Sequence, residues 1–191
     1  GNDRALARLL DEWRAVRFVL DGHHAHEDEL CDPLVCAHAP EARAELEEAH
    51  RWSDARLAEL DAGADALRSA SSSQRARRLA EFHLALADFT AGYLNHLAFE
   101  ERTVMPALNV AMSDEQLEAV TAQIRGSVPP PDMCTFIRYM VPAMNHVERV
   151  DMLGGMFAGA PQEIFEMFRA AAEDCLDAEQ YQSVATDAGF G

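Results

Sequence analysis

One phrase occurs twice in this chain, first as His23-His24-Ala25-His26-Glu27-Asp28-Glu29 followed by Pro33, then as His96-Leu97-Ala98-Phe99-Glu100-Glu101 followed by Pro106. A histidine, an acid four residues later and a proline recur at identical offsets. On a helix, residues four apart lie on one face, with their Cβ atoms about 5 to 6 Å apart. Each copy therefore directs an imidazole and a carboxylate towards one point, which predicts a metal site between helices.

Apolar residues recur at helical spacing through most of the chain. The first stripe runs, in steps of three and four, through Leu6, Leu9, Trp13, Val16, Leu20, His23, Glu27, Leu30 and Leu34. Similar stripes over residues 46–67 and 82–107 contain His50 in the first case and His96 with Glu100 in the second. Such periodicity is typical of core-facing helices, so the sequence predicts an all-α protein.

The turns between these helices place the polar groups at one level. His50 precedes the turn at Ser71-Ser72-Ser73 by about 20 residues and His96 follows it by a similar number, which is roughly 30 Å of helix on each side. Glu27 and His50 lie at comparable distances on either side of the corner at Ala39-Pro40. Since buried charged groups are normally paired or bound to metal, the convergence predicts a cation there. The five groups are His23, Glu27, His50, His96 and Glu100.

The kind of ligand indicates which metal the site would take. Three imidazoles and two carboxylates that project inward from helices are typical of carboxylate-bridged di-iron centres. A structural zinc site favours cysteine and four ligands. Calcium takes only oxygen ligands. Iron is therefore the predicted cofactor, as a non-haem di-iron centre.

These segments, together with Glu48-Ala49-His50, resemble the hemerythrin-like HHE cation-binding domains over about residues 3 to 111. The resemblance implies an up-down helical bundle in which His23, Glu27, His50, His96 and Glu100 bind iron and Glu27 and Glu100 bridge two ions. It divides the chain into a metal-binding bundle, residues 1–111, and a C-terminal helical extension, residues 112–191. In the extension, amphipathic segments at about 132–158 and 161–188 are expected, with corners at Gly154-Gly155 and Gly159-Ala160-Pro161.

The family has a further helix with its own histidine before the first H-x-x-x-E, whereas no histidine precedes His23 here. The resemblance thus implies three of the four family helices. Either the sequence is a fragment, or the C-terminal segments or a second subunit fill the fourth position, and an open apolar groove would favour a homodimer. His24, Asp54 or His146 could substitute for the missing ligand. His24 and His26 point to other helix faces than His23, and His83 lies off the stripe.

Three functions remain open from the sequence. The resemblance implies foremost a non-enzymatic iron protein that binds O2 or NO or senses oxygen, iron or redox state. The second is a di-iron peroxidase or oxidase, with peroxide as substrate and Tyr93 or His26 as proton donor. The third is a metal-free helical scaffold that binds a partner through its C-terminal segments.

Composition excludes some classes of partner. The chain of 191 residues carries 33 acidic against 16 basic side chains, a formal charge of -17, which argues against a nucleic-acid partner.

The cysteines indicate the compartment. No C-x-x-C spacing occurs among Cys31, Cys36, Cys134 and Cys175, which is typical of a protein in a reducing cytosol. No apolar run is long enough to span a membrane and no signal pattern is visible at the start, so a cytoplasmic protein is expected.

Overall fold

The structure, a computed structural model, describes residues 2–158 and 160–191, and the elements assigned in these ranges are helices and turns. The prediction of an all-α protein is confirmed. The α-helices are α1 (Asn2–His26), α2 (Asp32–His38), α3 (Arg43–Arg68), α4 (Arg75–Phe99), α5 (Met105–Ala111), α6 (Asp114–Ser127), α7 (Pro130–Met140), α8 (His146–Phe157), α9 (Gln162–Cys175) and α10 (Ala178–Asp187). Of the helices described, none combines the length and apolar character that crossing a membrane requires.

The contacts among its residues divide the chain into two compact units, Gly1–Ile124 and Arg125–Gly191. The division falls inside α6. The domain boundary expected between residues 111 and 112 lies just before that helix and stays a prediction. Gly1, the first residue of the predicted bundle domain, lies outside the described residues.

The first unit is built on three long helices. Helices α3 and α4 form an antiparallel hairpin, in which the buried stripe of α3 packs against Phe82 and Phe89 of α4. Helix α1 adds Leu10 and Trp13 to the same core, and the Trp13 indole donates a hydrogen bond of 2.9 Å to Asp61 on α3. The core forms because each helix presents one apolar face at 3.6-residue spacing.

A second apolar cluster closes the other end of these helices. It contains Val35 of α2, Leu46 of α3, and Val104 and Leu108 from the α5 region, all at most 5% exposed. The two short helices that follow the repeated phrases, α2 and α5, contact each other here. The cluster therefore packs together the segments that follow both copies of the repeat.

A five-residue π-helical turn lies within each copy of the repeat. The first, π1, spans Glu27–Cys31, and the second, π2, spans Glu100–Val104. Each precedes a short helix with proline in its first turn, Pro33 or Pro106. Proline donates no backbone hydrogen bond, and in a regular helix its ring meets the carbonyl four residues earlier, so a wider turn relieves the contact. The periodicity did not predict these turns.

The second unit has its own apolar core, which includes Ile137, Val141, Leu153, Ala172 and Val184. The segment expected at 132–158 is broken after Met140, because Pro142 follows and Asn145 starts α8 with a capping box that includes Glu148. The segment expected at 161–188 is likewise broken at Asp177, whose side chain caps α10.

The corner expected at Gly154-Gly155 is wrong, because both glycines lie inside α8. A β-carbon at position 154 would lie 3.6 Å from that of Ala188, an ordinary van der Waals distance, so the packing of α8 against the end of α10 does not require a glycine there. The other expected corner includes Gly159, which lies outside the described residues.

Candidate metal centre

Four of the five predicted ligands meet at one point. Glu27 is supplied by the start of π1, His50 by α3, His96 by α4 and Glu100 by the start of π2. One nitrogen or oxygen atom from each lies within 4.8 Å of the others, so this group could hold a metal ion. The convergence requires the antiparallel hairpin and the packing of α1 against α3, which bring distant parts of the sequence to one level.

His23, the fifth predicted ligand, lies at the edge of this group. Its Nε2 atom is 2.9 Å from Oε1 of Glu27, one helical turn later, as the spacing of four residues predicts. It is not part of the four-residue group. The structure therefore brings His23 into contact with one predicted bridging carboxylate and leaves its own ligation a prediction.

Contacts between different helices hold His50 and His96 in the group. Nε2 of His50 lies 3.5 Å from Oε2 of Glu27, and its Nδ1 lies 3.3 Å from Oδ1 of Asp28. The His50 and His96 rings meet edge to face with their centroids 5.1 Å apart. Nε2 of His96 lies 3.3 Å from Oε1 of Glu100. Two imidazoles in contact with each other and two carboxylates thus surround the point where the four residues meet.

Several polar atoms of the group and of the neighbouring His23 are buried without a hydrogen-bond partner among the residues described. They are Nε2 of His23, Oε2 of Glu27, Nε2 of His50, and both Nδ1 and Nε2 of His96. Their short contacts with one another do not have hydrogen-bond geometry. A buried polar atom without a partner typically costs about 1 to 3 kcal/mol. One nitrogen of each neutral imidazole and the oxygens of Glu27 offer lone pairs to a metal ion, so the residues fit a bound cation.

The two carboxylates differ in their charge state. Burial, together with the neighbouring Glu27 carboxylate, raises the pKa of Glu100 from 4.5 to about 8. Burial alone would also raise the pKa of Glu27, but His23, His50 and His96 outweigh it, so the pKa falls below its ordinary value. Glu27 is therefore the more readily ionised of the pair, and Glu100 is the carboxyl that burial keeps protonated.

The histidines respond to burial in different ways. Burial and the neighbouring His50 and His24 lower the pKa of His96 from 6.5 to about 4, against the pull of Glu27. The imidazole of His96 is thus neutral at pH 7, the form that binds metals. Burial would lower the pKa of His23 too, but Glu27 and Glu100 outweigh it and raise that pKa.

His24 and Tyr93 lie beside the group, and Ser53 and Asp54 contact His24. His24, 7% exposed, stacks on His50 with ring centroids 5.1 Å apart and lies 3.4 Å, Nε2 to Oγ, from the buried hydroxyl of Ser53. Its Nδ1 atom lies 3.6 Å from Oδ1 of Asp54. The Tyr93 ring lies 5.8 Å from that of His96 and 6.3 Å from that of His23, and burial raises the pKa of its phenol.

Sequence reasoning missed the contact of His24 with Ser53. The stripe of α3 includes Ser53, and a serine on an otherwise apolar face was the signal that could have shown it. His83, which lies off the apolar stripe, has an exposed side chain. His146 lies in the second unit, where its Nε2 contacts Oδ2 of Asp187 at 2.8 Å.

No protein-family model, curated protein or solved structure matches this chain. Function is therefore inferred from the geometry of Glu27, His50, His96 and Glu100.

Proposed function

We propose that this protein binds non-haem iron, as a di-iron site, and takes up O2 or NO there as a hemerythrin-like binding or sensing protein. The observation that carries the proposal is the set of buried, unpartnered imidazole and carboxylate atoms contributed by three separate helices. Glu27, His50, His96 and Glu100 would hold the metal, and His23 would complete the set beside Glu27.

The mixture of ligands supports iron over the other common metals. Imidazole and carboxylate donors together suit iron, whereas calcium sites use oxygen alone. Cys31 does not favour a thiolate site, because burial raises its pKa to about 11 and keeps its thiol protonated. Two carboxylates on opposite helices offer enough oxygen atoms to span two ions.

Iron bound there would supply the reversible binding of a diatomic ligand, and the protein would supply its surroundings. Tyr93 keeps its phenolic proton because burial raises its pKa, so its hydroxyl is able to donate a hydrogen bond to a molecule held between His23 and His96. The apolar cluster around Val104 and Leu46 limits access of water from one end.

Azide tests the open coordination position that this function requires. After anaerobic loading with Fe²⁺ and exposure to air, titration with azide should produce a visible absorption band in the wild type. The band should disappear in H50A and persist in H83A, whose exposed side chain lies on α4 away from the group. A wild type that holds iron but does not respond to azide would overturn ligand binding. A wild type that holds no iron would exclude an iron-binding function and leave only the metal-free helical scaffold.

A peroxidase is the second candidate, and the position of Tyr93 favours it. A phenol beside the site is the kind of proton donor that peroxide cleavage needs. Turnover of hydrogen peroxide by the iron-loaded protein should then exceed that of free iron and fall about 10² to 10⁴-fold in Y93F, the typical contribution of one general acid. A wild-type rate no higher than that of free iron would exclude the enzyme.

A further inference from the structure

A groove of about 570 Å³ runs between α3 and α4 on the face that leads to His96. Trp52 lies on its α3 side and Phe99 on its α4 side, and the rim carries Glu45, Glu48 and Asn95. The groove is open to solvent, because all three rim residues are exposed. It thus joins the surface of the first unit to a residue of the candidate metal centre.

The rim of this groove carries unbalanced negative charge. In the described parts of the chain, neither Glu45 nor Glu48 has an ion-pair or hydrogen-bond partner, although Glu47 between them pairs with Arg43. Two free carboxylates at the mouth of a cleft attract cations, since low-dielectric walls focus the field into it. The amide oxygen of Asn95 adds a neutral oxygen donor.

His96 is the one buried residue among those that line the groove. This residue is 5% exposed, and neither of its ring nitrogens has a hydrogen-bond partner among the described residues. One side chain therefore both lines the groove and lies within the four-residue group. Inside the group, Nε2 of His96 lies 3.3 Å from Oε1 of Glu100, so this imidazole connects the groove to the other ligands.

We propose that the groove between α3 and α4 is the route by which a hydrated divalent cation reaches the metal centre, with Glu45 and Glu48 as its outer docking site. The inference rests on the proposed metal site and adds its loading path. Carboxylates at the rim would hold the hydrated ion through water, and the imidazole of His96 would take it from there.

Loading with Co²⁺, which is stable to air over the measurement, tests the route. Stopped-flow absorbance should follow the cobalt bands as the metal-free protein fills. In the double variant E45Q/E48Q the loading rate at low ionic strength should fall about three- to tenfold, at the low end of electrostatic steering effects. The final cobalt content should stay that of the wild type, and added salt should remove the difference in rate.

A control variant, D88N/E115Q, removes the same charge from two exposed acids that do not line the groove. It should load at the wild-type rate. A second test variant, A44W, fills the groove from an exposed position and should slow loading without a change in melting temperature.

Equal cobalt-loading rates in E45Q/E48Q and the wild type, or equal slowing in D88N/E115Q, would contradict the proposed route but not the proposed metal site. A wild type that takes up no cobalt or iron at all would overturn the proposed function, and the route with it.

Discussion

Glu27 and Glu100 occupy equivalent places in the two copies of the repeat. Each is the first residue of a π-helical turn, and each accepts, through its backbone carbonyl, a bond from the N–H group five residues later, that of Asp32 or Met105. π-Turns inside α-helices are frequent at functional sites. Here they set the direction of the chain immediately after both carboxylates of the candidate metal centre.

Replacement of Pro106 by alanine should weaken metal binding more than folding. Alanine restores the backbone donor and removes the ring, so π2 can return to a regular helix and shift the Glu100 side chain. We expect P106A to bind Co²⁺ about 10- to 100-fold more weakly, the range for lost support of a ligand, with a change of only a few degrees in melting temperature. P161A, in the second unit, is the control. Unchanged cobalt affinity in P106A would show that the proline does not position Glu100.

Glu100 should destabilise the metal-free protein at alkaline pH. Its pKa is raised from 4.5 to about 8, so between these values the folded state binds a proton that the unfolded chain has lost. The free energy of unfolding therefore falls as pH rises through this window. Metal-free E100Q should melt above the wild type by several degrees at pH 8, with a much smaller gap at pH 5. The exposed control E115Q should show no such trend, and a gap independent of pH would contradict the burial of an ionisable Glu100.

Metal affinity should rise with pH for the same reason. Glu100 must lose its proton to bind a cation, so affinity for Co²⁺ should increase through neutral pH and level off above about 8. His96, with its pKa lowered to about 4, is already neutral and should add no pH dependence above pH 6. Calorimetry in two buffers of different ionisation enthalpy measures the released proton. A constant affinity from pH 6 to pH 8 would contradict the prediction.

Two glycines should respond to alanine in opposite directions. A β-carbon at Gly92 would overlap the ring of Trp52, whereas one at Gly126 would meet nothing within 4 Å. G92A should lower the free energy of unfolding by about 1 to 3 kcal/mol and change tryptophan fluorescence, because the indole must move. G126A should raise it by about 0.5 to 1 kcal/mol, because alanine favours a helix. Chemical denaturation measures both, and a neutral G92A would show that Trp52 moves without strain.

The sequence predicted the all-α class and most of the candidate site for physical reasons. Helical spacing places His23 beside Glu27 and His96 beside Glu100, and both pairs are found in contact. The lengths of α3 and α4 around the serine-rich turn then bring His50 to the same level, where its ring meets His96. These relations depend only on helix geometry and turn position.

Tertiary packing decided what the sequence did not predict. A π-turn has the same residue pattern as the α-helix around it, so π1 and π2 were not visible. The burial of His24 depends on the crossing of α1 and α3, which brings it to Ser53. In the second unit, Asn145 and Asp177 cap the starts of new helices, so two segments with a continuous amphipathic pattern are each divided into separate helices.

Bound iron per chain is the most direct test of the central claim. After anaerobic loading with Fe²⁺ and removal of excess metal, the wild type should retain about two iron ions per chain, as di-iron bundle sites do. H96A, which removes the most buried ligand, should retain almost none, while the exposed control H83A should match the wild type. Equal iron in H96A and the wild type, or none in either, would contradict a metal centre formed by these residues.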